Sequence, residues 1–432
     1  MQIAGMTTKG SNYDRGNMNL TQDQEKALAQ FNAFMISTDK YFVLSGGAGT
    51  GKSTLLKYLS TTEEYIKMAE LMGIDPPNYE WCFTATTNKA AEVLARMGFP
   101  SASTVHNLFN ITVSNDYGTG ETKIHKKKNF HVLQDKIIVI DEWSMIDTPL
   151  LRLLDEGTLN CKFIFVGDHC QMPPVKEAIS PVMNLAAPIV LNEIMRSKNA
   201  PPITDLALQL RETVETGVFQ NINEVPGFIE YLDPDQAKMK IREYFVHNSM
   251  DARILTYTNR NAIDMNRWIR QEKGLPDTFV PGDRLVSNTA YKELRIEDEV
   301  TVERVSEVYS RNYHINGQAH ELYIYTIVTK EGHGLEVAMN SSQLQNIIKV
   351  AKSAKDWKTY FHLKENIVDL RPRDACTVYK AQGSTYGTVF VNLSDIGTCT
   401  VASQAARLLY VACSRPEHRI YLLGDLPARF KP

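Results

Sequence analysis

The sequence predicts an α/β fold with two parallel-sheet layers and β-rich insertions. Apolar strand-like runs alternate with helical patterns in both halves of the chain, which is typical of parallel sheets. In the first half, an apolar strand leads through a glycine-rich turn into a helix, and "KIIVID" and "CKFIFVG" supply further strands. In the second half, "ARILTYTNR" and "TVFVNLSD" precede a helix-plus-strand segment without a glycine-rich turn of its own. Two such layers would enclose a cleft.

Length and composition predict a globular protein. A chain of 432 residues with 43% hydrophobic side chains can form about two to four domains with real cores. The longest apolar runs are far shorter than the ~20 residues of a membrane span, and the first residues lack the apolar core of a signal peptide. We expect residues 1–19 to form a loose arm. Six scattered cysteines predict neither a zinc site nor a disulfide framework, and they fit a reducing cytoplasm.

The charge pattern gives mixed evidence about nucleic acid. A net charge of −3 argues weakly against a phosphate-rich partner. The segment "KIHKKKNFH" nevertheless concentrates lysine and histidine. Taken alone, this run fits a solvated surface as well as a phosphate contact.

The glycine-rich turn "GGAGTGKS" matches a phosphate-binding loop (P-loop). Its glycines let backbone N–H groups close around phosphate oxygens, while Lys52 neutralises charge and Ser53 offers a hydroxyl to Mg²⁺. We therefore predict a site for ATP and Mg²⁺. The predicted nucleotide-binding residues of this loop are Gly47, Ala48, Gly49, Thr50, Gly51, Lys52, Ser53 and Thr54.

A carboxylate pair follows the strand "KIIVID". Asp141 is predicted to complete the Mg²⁺ site with Ser53, and Glu142 to orient and deprotonate the attacking water. An Asp-Glu pair can also simply cap a helix. The P-loop upstream favours the catalytic interpretation.

"CKFIFVG" runs into Asp168 and Gln171, which should emerge at the same carboxyl edge of the sheet. An uncharged amide there can bond a γ-phosphate or the attacking water, so Gln171 is a candidate sensor; the alternative is a polar loop residue. Arg196 and Arg415 are the candidates for an arginine that reaches the γ-phosphate from the second layer.

The order of motifs resembles the superfamily 1 helicases of the B type, in particular the Dda-like helicases of tailed phages and the RecD-like enzymes. The motifs are "LTQDQ", "GGAGTGKS", "TATTNKAAEVL", "STVHNLF", "VIDEWSM", "VGDHCQMPPV", "LNEIMRS", "YTNRNA", "CTVYKAQGSTYGTVF" and "LLYVACSRPEH". They cover nearly all of the chain from Leu20 to Gly424. The resemblance implies two RecA-like domains that use ATP to move 5′ to 3′ on single-stranded DNA and to unwind duplex.

The resemblance also implies residue roles. Gln24 would read the adenine, Gln171 would be the motif III glutamine, Arg196 and Arg415 would contact the γ-phosphate, and Gly383 would touch nucleotide from the second domain. The positions implied for the DNA path are Thr86, Asn88, Thr104, His106, Asn259 and Lys380. Tyr379 stands where the family commonly has histidine, so it is expected to stack on a base, to hydrogen-bond a phosphate, or to be a core tyrosine.

We expect two insertions. The first has β-rich arms around "NDYGTG", predicts a hairpin, and lies where the family carries the pin that splits the duplex, with Tyr117 at the tip. The second lies where the family carries an SH3-like module. The predicted parts are the arm 1–19, domain 1A at 20–106 and 137–190, insertion 1B at 107–136, domain 2A at 191–280 and 367–432, and insertion 2B at 281–366.

Alternative functions remain at this point. An RNA-directed helicase uses the same stacking and phosphate contacts. A single-strand remodelling protein would move without productive unwinding, and a small-molecule P-loop kinase would not explain "YKAQGS" or "VACSRP". The resemblance implies a monomer acting on single-stranded and forked DNA in the cytoplasm (the host's, if phage-encoded), with a single-strand binding protein or other replication proteins as partners.

Overall fold

A computed structural model describes residues 20–76, 78–115, 122–127, 130, 132–174, 177–193, 200–247, 251–289, 291–292, 294–295 and 297–432. The arm predicted at 1–19 lies outside these residues. Within them, no helix is both long and apolar enough to cross a membrane.

The first part of the chain alternates strands and helices. Its helices are α1 (Gln22–Ile36), α2 (Lys52–Leu59), α3 (Glu64–Leu71), α4 (Asn88–Arg96), α5 (Val105–Leu108) and α6 (Thr148–Glu156). Its strands are β1 (Tyr41–Gly46), β2 (Glu80–Ala85), β3 (Ser103–Thr104), β4 (Ile111–Asn115), β5 (Thr122–Lys126), β6 (Leu133–Gln134), β7 (Lys136–Asp141), β8 (Thr158–Leu159), β9 (Lys162–Gly167) and β10 (Ile189–Leu191).

The central sheet of this part is parallel, in the order β10-β1-β9-β7-β2-β3. Its central strands are apolar on both faces because helices cover both sides, as parallel sheets require. Alternate residues enter opposite cores: Val139 and Ile164 face one, Ile138 and Phe163 the other. The register pairs Ser45 with Gly167 and Asp141 with Val166, so β1, β9 and β7 end together at one edge.

The rest of the chain forms a second parallel layer and a β-rich insertion. The helices are α7 (Pro201–Thr216), α8 (Pro234–Ile241), α9 (Asn259–Glu272), α10 (Ser341–Ser353), α11 (Trp357–Asn366), α12 (Val378–Ala381), α13 (Leu393–Ile396) and α14 (Ala402–Cys413). The strands are β11 (Ile229–Leu232), β12 (Ala252–Thr256), β13 (Arg284–Ser287), β14 (Glu299–Val305), β15 (Tyr309–Ile315), β16 (Gln318–Thr329), β17 (Gly334–Ala338), β18 (Leu370–Pro372), β19 (Ala375–Thr377), β20 (Tyr386–Asn392) and β21 (Pro416–Leu423).

The second parallel sheet has the order β11-β21-β20-β12-β19. Helices α7 and α14 pack together over one face of it and contribute Leu206, Leu210 and Leu409 to a shared core. The predicted α/β fold with two parallel layers is therefore confirmed.

The insertion forms an antiparallel sheet in the order β15-β16-β14-β13-β18, with β17 also paired to β16. Its β-rich character is as predicted, and helices α10 and α11 add a separate core around Ile347 and Leu363. Strand β18 pairs with β13 and lies beyond residue 366, where the sequence placed the end of this insertion. The Glu299 carboxylate ties the insertion to the second layer by an ion pair with Arg253 on β12.

Candidate active site and nucleic-acid interface

The P-loop runs from the end of β1 into the start of α2. Gly49 and Gly51 have φ angles of 83° and 77°, in the left-handed region that favours glycine. A Cβ atom on Gly46 would lie 2.6 Å from Thr50 Oγ1, so the loop closes too tightly for a side chain there. Lys52 Nζ donates to the carbonyl oxygens of Gly46 and Gly47 at 2.7 and 2.8 Å. The loop thus holds the ammonium group within its own curve.

Gln24 lies against this loop. Its side chain is buried, and its Nε2 donates to the Thr50 carbonyl oxygen at 3.2 Å. Its Oε1 accepts from the backbone N–H of Thr21, which caps helix α1. The structure therefore places Gln24 beside the predicted nucleotide site, with both ends of its amide bonded to protein.

The two carboxylates follow β7. Burial, and then the charge of Glu142, raises the pKa of Asp141 to about 7. Burial also raises the pKa of Glu142, against the opposing charges of Lys52 and Arg415. Glu142 has a φ of 57°, an uncommon conformation for a residue with a side chain. Its Oε2 atom is buried and finds no hydrogen-bond partner among the described residues, as expected of a carboxylate kept for chemistry.

Trp143 fixes the backbone at this point. Its indole Nε1 donates to the Leu44 carbonyl oxygen on β1 at 3.2 Å, and its ring packs against Gly167. Thr86, predicted on the DNA path, donates through Oγ1 to the Glu142 carbonyl oxygen at 3.1 Å. The strained Glu142 backbone is therefore held from the neighbouring strands.

The pKa of Lys52 depends on its burial and on the carboxylates around it. Burial lowers the pKa of Lys52, while the carboxylates of Asp168, Glu142 and Asp141 raise it again. A partly buried cation close to three carboxylates fits a site that binds phosphate.

The loop after β9 contains Asp168 and Gln171. Asp168 is fully buried, pairs with Arg211 Nη1 at 2.7 Å and accepts from the Tyr410 hydroxyl at 2.5 Å. Gln171 is also buried, and its Oε1 has no partner within the described part of the chain. A buried amide oxygen without a partner is what a ligand-sensing glutamine requires.

A cavity of about 350 Å³ lies between the two layers. P-loop residues 47–50 line one wall, and Arg415 lines the other with residues 416–418. Arg415 is buried and donates to the carbonyl oxygens of Val411 and Ser384. Arg196, the other candidate arginine, lies outside the described residues.

The segment around Gly383 makes direct contacts with the first layer. Gly383 has a φ of 74° and lets the chain turn after α12. On one side of it, Gln382 Nε2 donates to Ser144 Oγ at 3.2 Å; on the other, Ser384 Oγ accepts from Lys89 Nζ at 2.6 Å. The turn around Gly383 thus contacts the first layer at Ser144, two residues after Glu142, and at Lys89 on α4.

Three of the residues predicted for the DNA path share one cavity. Asn88, Thr104 and His106 line a polar cavity of about 470 Å³ together with Lys127 and Arg295. Burial lowers the pKa of His106, which favours its neutral form. The cavity is bordered by the first layer, the 1B segment and the 2B insertion.

The other residues predicted for the DNA path lie outside this cavity. Lys380 lines a second cavity with Lys89 and Arg371, and Asn259 Oδ1 accepts from Arg371 at 2.9 Å. The Tyr379 hydroxyl accepts from Gln404 at 2.6 Å, and its half-buried ring packs against the core between the second parallel sheet and helices α7 and α14. These contacts favour the core interpretation of Tyr379 over base stacking.

Strands β4 and β5 form the predicted hairpin arms, paired antiparallel from Ile111 with Lys126 to Asn115 with Thr122. Lys126 forms an ion pair with Glu156 at 2.7 Å, so this lysine contacts protein. Tyr117 and the turn at 116–121 lie outside the described residues.

Comparisons with known proteins find similarity to helicases. A model of the AAA domain family matches residues 19–230, and a model of the UvrD-like helicase C-terminal domain matches residues 374–423. The chain is 25% identical over 423 residues to the ATP-dependent RecD2 DNA helicase of Deinococcus radiodurans, covering 95% of this chain but 50% of that protein. It is 25% identical over 463 residues to the ATP-dependent DNA helicase dda of Enterobacteria phage T4, covering 93% of this chain and 98% of the relative.

The chain is thus similar to superfamily 1 helicases, the Dda-like and RecD-like enzymes among them. Its fold is similar to that of a Pif1 helicase from Bacteroides solved with ADP-AlF3 and single-stranded DNA, with a TM-score of 0.50, 16% identity and coverage of 96% and 94% of the two chains. The two parallel sheets are therefore typical of RecA-like domains.

Sequence reasoning missed several residues at the cleft between the two parallel layers. Tyr410 and Gln382 lay inside recognised motifs, yet neither was assigned a role. Arg211 lies in the helical stretch "ALQLRETVET", which carries no local signal. Its proximity to Asp168 arises because α7 packs on α14 at the domain boundary.

Proposed function

We propose that this chain is an ATP-dependent DNA helicase that moves 5′ to 3′ on single-stranded DNA and unwinds duplex ahead of it. The observation that carries the proposal is the cavity that the P-loop and Arg415 line from opposite domains. Hydrolysis at such a boundary couples nucleotide state to domain closure. The chain spans about half the length of RecD2 and nearly all of the phage relative.

The donor set fits Mg²⁺, which prefers oxygen ligands and usually keeps several waters. Ser53 and Asp141 are the proposed protein ligands, and bound Mg²⁺ would neutralise charge on the phosphate oxygens. Glu142 would take the proton of the attacking water through its unpartnered Oε2. Lys52 would leave the Gly46 and Gly47 carbonyl oxygens for the β- and γ-phosphates.

The second domain completes the site. Arg415 would stabilise the charge that develops in the transition state, and Arg196 is retained as the second arginine proposed for this task. Gln24 would contact the adenine after releasing its bond to the P-loop backbone. Gln171 would bond the γ-phosphate or the attacking water and lose that partner after hydrolysis.

Single-stranded DNA is proposed to lie across the polar cavity that contains Asn88, Thr104 and His106, and to continue past Lys380. Both domains would then grip the strand, so closure of the cleft shifts one grip relative to the other. The hairpin arms support a pin at the duplex junction. Because both walls of the ATP cavity come from one chain, a monomer would suffice.

A forked-duplex assay tests the proposal. The protein, ATP and Mg²⁺ are mixed with forks that carry either a 5′ or a 3′ single-stranded tail, with Lys52→Ala as the control. Unwinding of the 5′-tailed fork alone is expected. Preference for an RNA tail would favour the RNA-directed alternative, and DNA-stimulated hydrolysis without unwinding would favour the remodelling alternative.

A further inference from the structure

The loop that carries Gln171 is gripped from the second domain by two helices. Arg211 on α7 and Tyr410 on α14 both reach the carboxylate of Asp168, which follows β9 of the first domain. Asp168 is entirely buried, Tyr410 is 2% exposed and Arg211 is 5% exposed. A charged pair so deeply buried is costly to break, because the remaining partner would stay unpaired.

The grip extends along the loop. Arg407, three residues before Tyr410 on α14, donates through Nη1 to the carbonyl oxygens of His169 and Gln171, the latter at 2.8 Å. The Glu215 carboxylate on α7 lies 3.3 Å from Arg211 Nε and 3.2 Å from His169 Nε2. Backbone and side chains of the loop are therefore bound to the second domain from Asp168 to Gln171.

The same residues touch the P-loop. A Cβ atom placed on Gly47 would lie 3.1 Å from the Tyr410 hydroxyl oxygen and 3.5 Å from Arg211 Nη1. His169 Nδ1 lies 2.7 Å from the hydroxyl of Ser45, the last residue before the loop glycines. One cluster thus contacts the β1 end, the P-loop and the Gln171 loop together.

We propose that Arg211 and Tyr410 are positioning residues that transmit DNA-driven domain closure to the phosphate site by holding the Asp168–Gln171 loop. This inference rests on the proposed helicase function. Neither residue takes part in the chemistry. They fix the position of Gln171 relative to the P-loop, so that a movement of the second domain also moves Gln171.

The main test is Tyr410→Phe, which keeps the buried ring and removes the hydroxyl that bonds Asp168. Loss of one donor to a buried carboxylate is expected to lower DNA-stimulated kcat by about tenfold. The DNA-free rate should fall much less than the DNA-stimulated rate, because Lys52 and Glu142 keep their own side chains. The number of base pairs unwound per ATP should fall.

Arg211→Lys is the second variant, since it keeps the charge but loses the forked contact to Asp168 and Glu215. Matched controls are Tyr231→Phe, whose hydroxyl bonds the Ile222 carbonyl oxygen inside the second domain, and Arg242→Lys, which pairs with Glu272 at the surface. Both controls should behave as the parent does.

A double-mutant cycle with Asp168→Asn isolates the contact. If Tyr410 acts through Asp168, the double variant should lose no more DNA stimulation than the more impaired single variant. Additive losses, or an equal fall in DNA-free and DNA-stimulated rates with a lower melting temperature, would overturn the inference in favour of a structural role. Parent-like stimulation in Tyr410→Phe would also overturn it. Absence of stimulation in the parent would instead refute the proposed function.

Discussion

The Nζ atom of Lys52 lies 2.7 Å from the carbonyl oxygen of Gly46, so the P-loop binds its own lysine with backbone oxygens. A phosphate that enters the loop replaces those neutral acceptors with charged ones, which gives the ammonium a stronger partner. Lys52→Ala should therefore abolish ATP hydrolysis and weaken nucleotide binding. Steady-state ATPase and binding of a fluorescent nucleotide measure the two effects, and a variant with parent-like turnover would remove the P-loop assignment.

Glu142→Gln should separate binding from chemistry. The amide keeps the shape of the side chain but cannot accept the water proton, while the phosphate cradle stays intact. We expect ATP binding close to that of the parent and a turnover reduced by roughly 100-fold or more. Rapid hydrolysis in this variant would show that another group is the base.

Gln171→Ala tests the sensor. Because the Gln171 side-chain oxygen is buried without a partner among the described residues, its removal should leave much of the DNA-free ATPase while abolishing DNA stimulation and unwinding. Equal losses of DNA-free and DNA-stimulated activity in Gln171→Ala would make it a catalytic residue and no sensor.

Arg415→Ala should slow hydrolysis with or without DNA, since an arginine that stabilises the transition state acts on the chemical step.

Shortening the hairpin tests strand separation. Strands β4 and β5 pair in register up to Asn115 and Thr122, so residues 116–121 between them can be replaced by a two-residue Asn-Gly turn. A wedge contacts duplex, whereas translocation needs the single-strand path and the ATP cleft. DNA-stimulated ATPase and translocation should survive, and unwinding of a 5′-tailed duplex should fall severely. Unimpaired unwinding would place the pin elsewhere, and collapse of the ATPase would make the segment structural.

Asp141 predicts a pH dependence of stability in metal-free buffer. Its pKa is raised from 3.8 to about 7, mainly by burial, so the folded protein holds a proton that the unfolded chain has already released. The stabilisation by that proton is complete below pH ~4 and is lost as the pH rises through ~7. Asp141→Asn, which cannot ionise, should therefore raise the free energy of unfolding more at pH 8 than at pH 5, by about 2 kcal/mol.

Urea unfolding with a chelator present measures this difference. Asp277→Asn, at an exposed loop position, is the matched control. A larger gain for Asp141→Asn at pH 5 would contradict the predicted sign.

Gly167→Ala tests the packing that holds Glu142 in place. The added Cβ would lie 2.8 Å from Trp143 Cδ1 and 3.1 Å from the Trp143 backbone nitrogen, and this tryptophan is fully buried. We expect a loss of about 1–3 kcal/mol in unfolding free energy and a slower ATPase, because the Glu142 backbone must shift. Gly334→Ala is the control, since no described atom lies within 4 Å of its added Cβ. A parent-like melting curve for Gly167→Ala would show that the tryptophan yields without cost.

The sequence by itself determined the parallel layers and which polar residues follow β1, β7 and β9. Those features are local: strands buried on both faces read as continuous apolar runs, and left-handed turns select glycine at positions such as Gly49 and Gly51. Because parallel strands share one carboxyl edge, Asp141 and Gln171 could be assigned to the P-loop side without coordinates.

Only the tertiary structure decided which distant residues complete the site. Arg211 and Tyr410 lie 43 and 242 positions from Asp168 along the chain, and neither has a neighbour in sequence that signals the contact. Strand β18 joined the insertion because it pairs with β13 across a long connection. Such contacts depend on how α7 packs on α14 and on how the two domains meet. These elements are far apart in the chain, so the local sequence pattern does not specify how they are oriented.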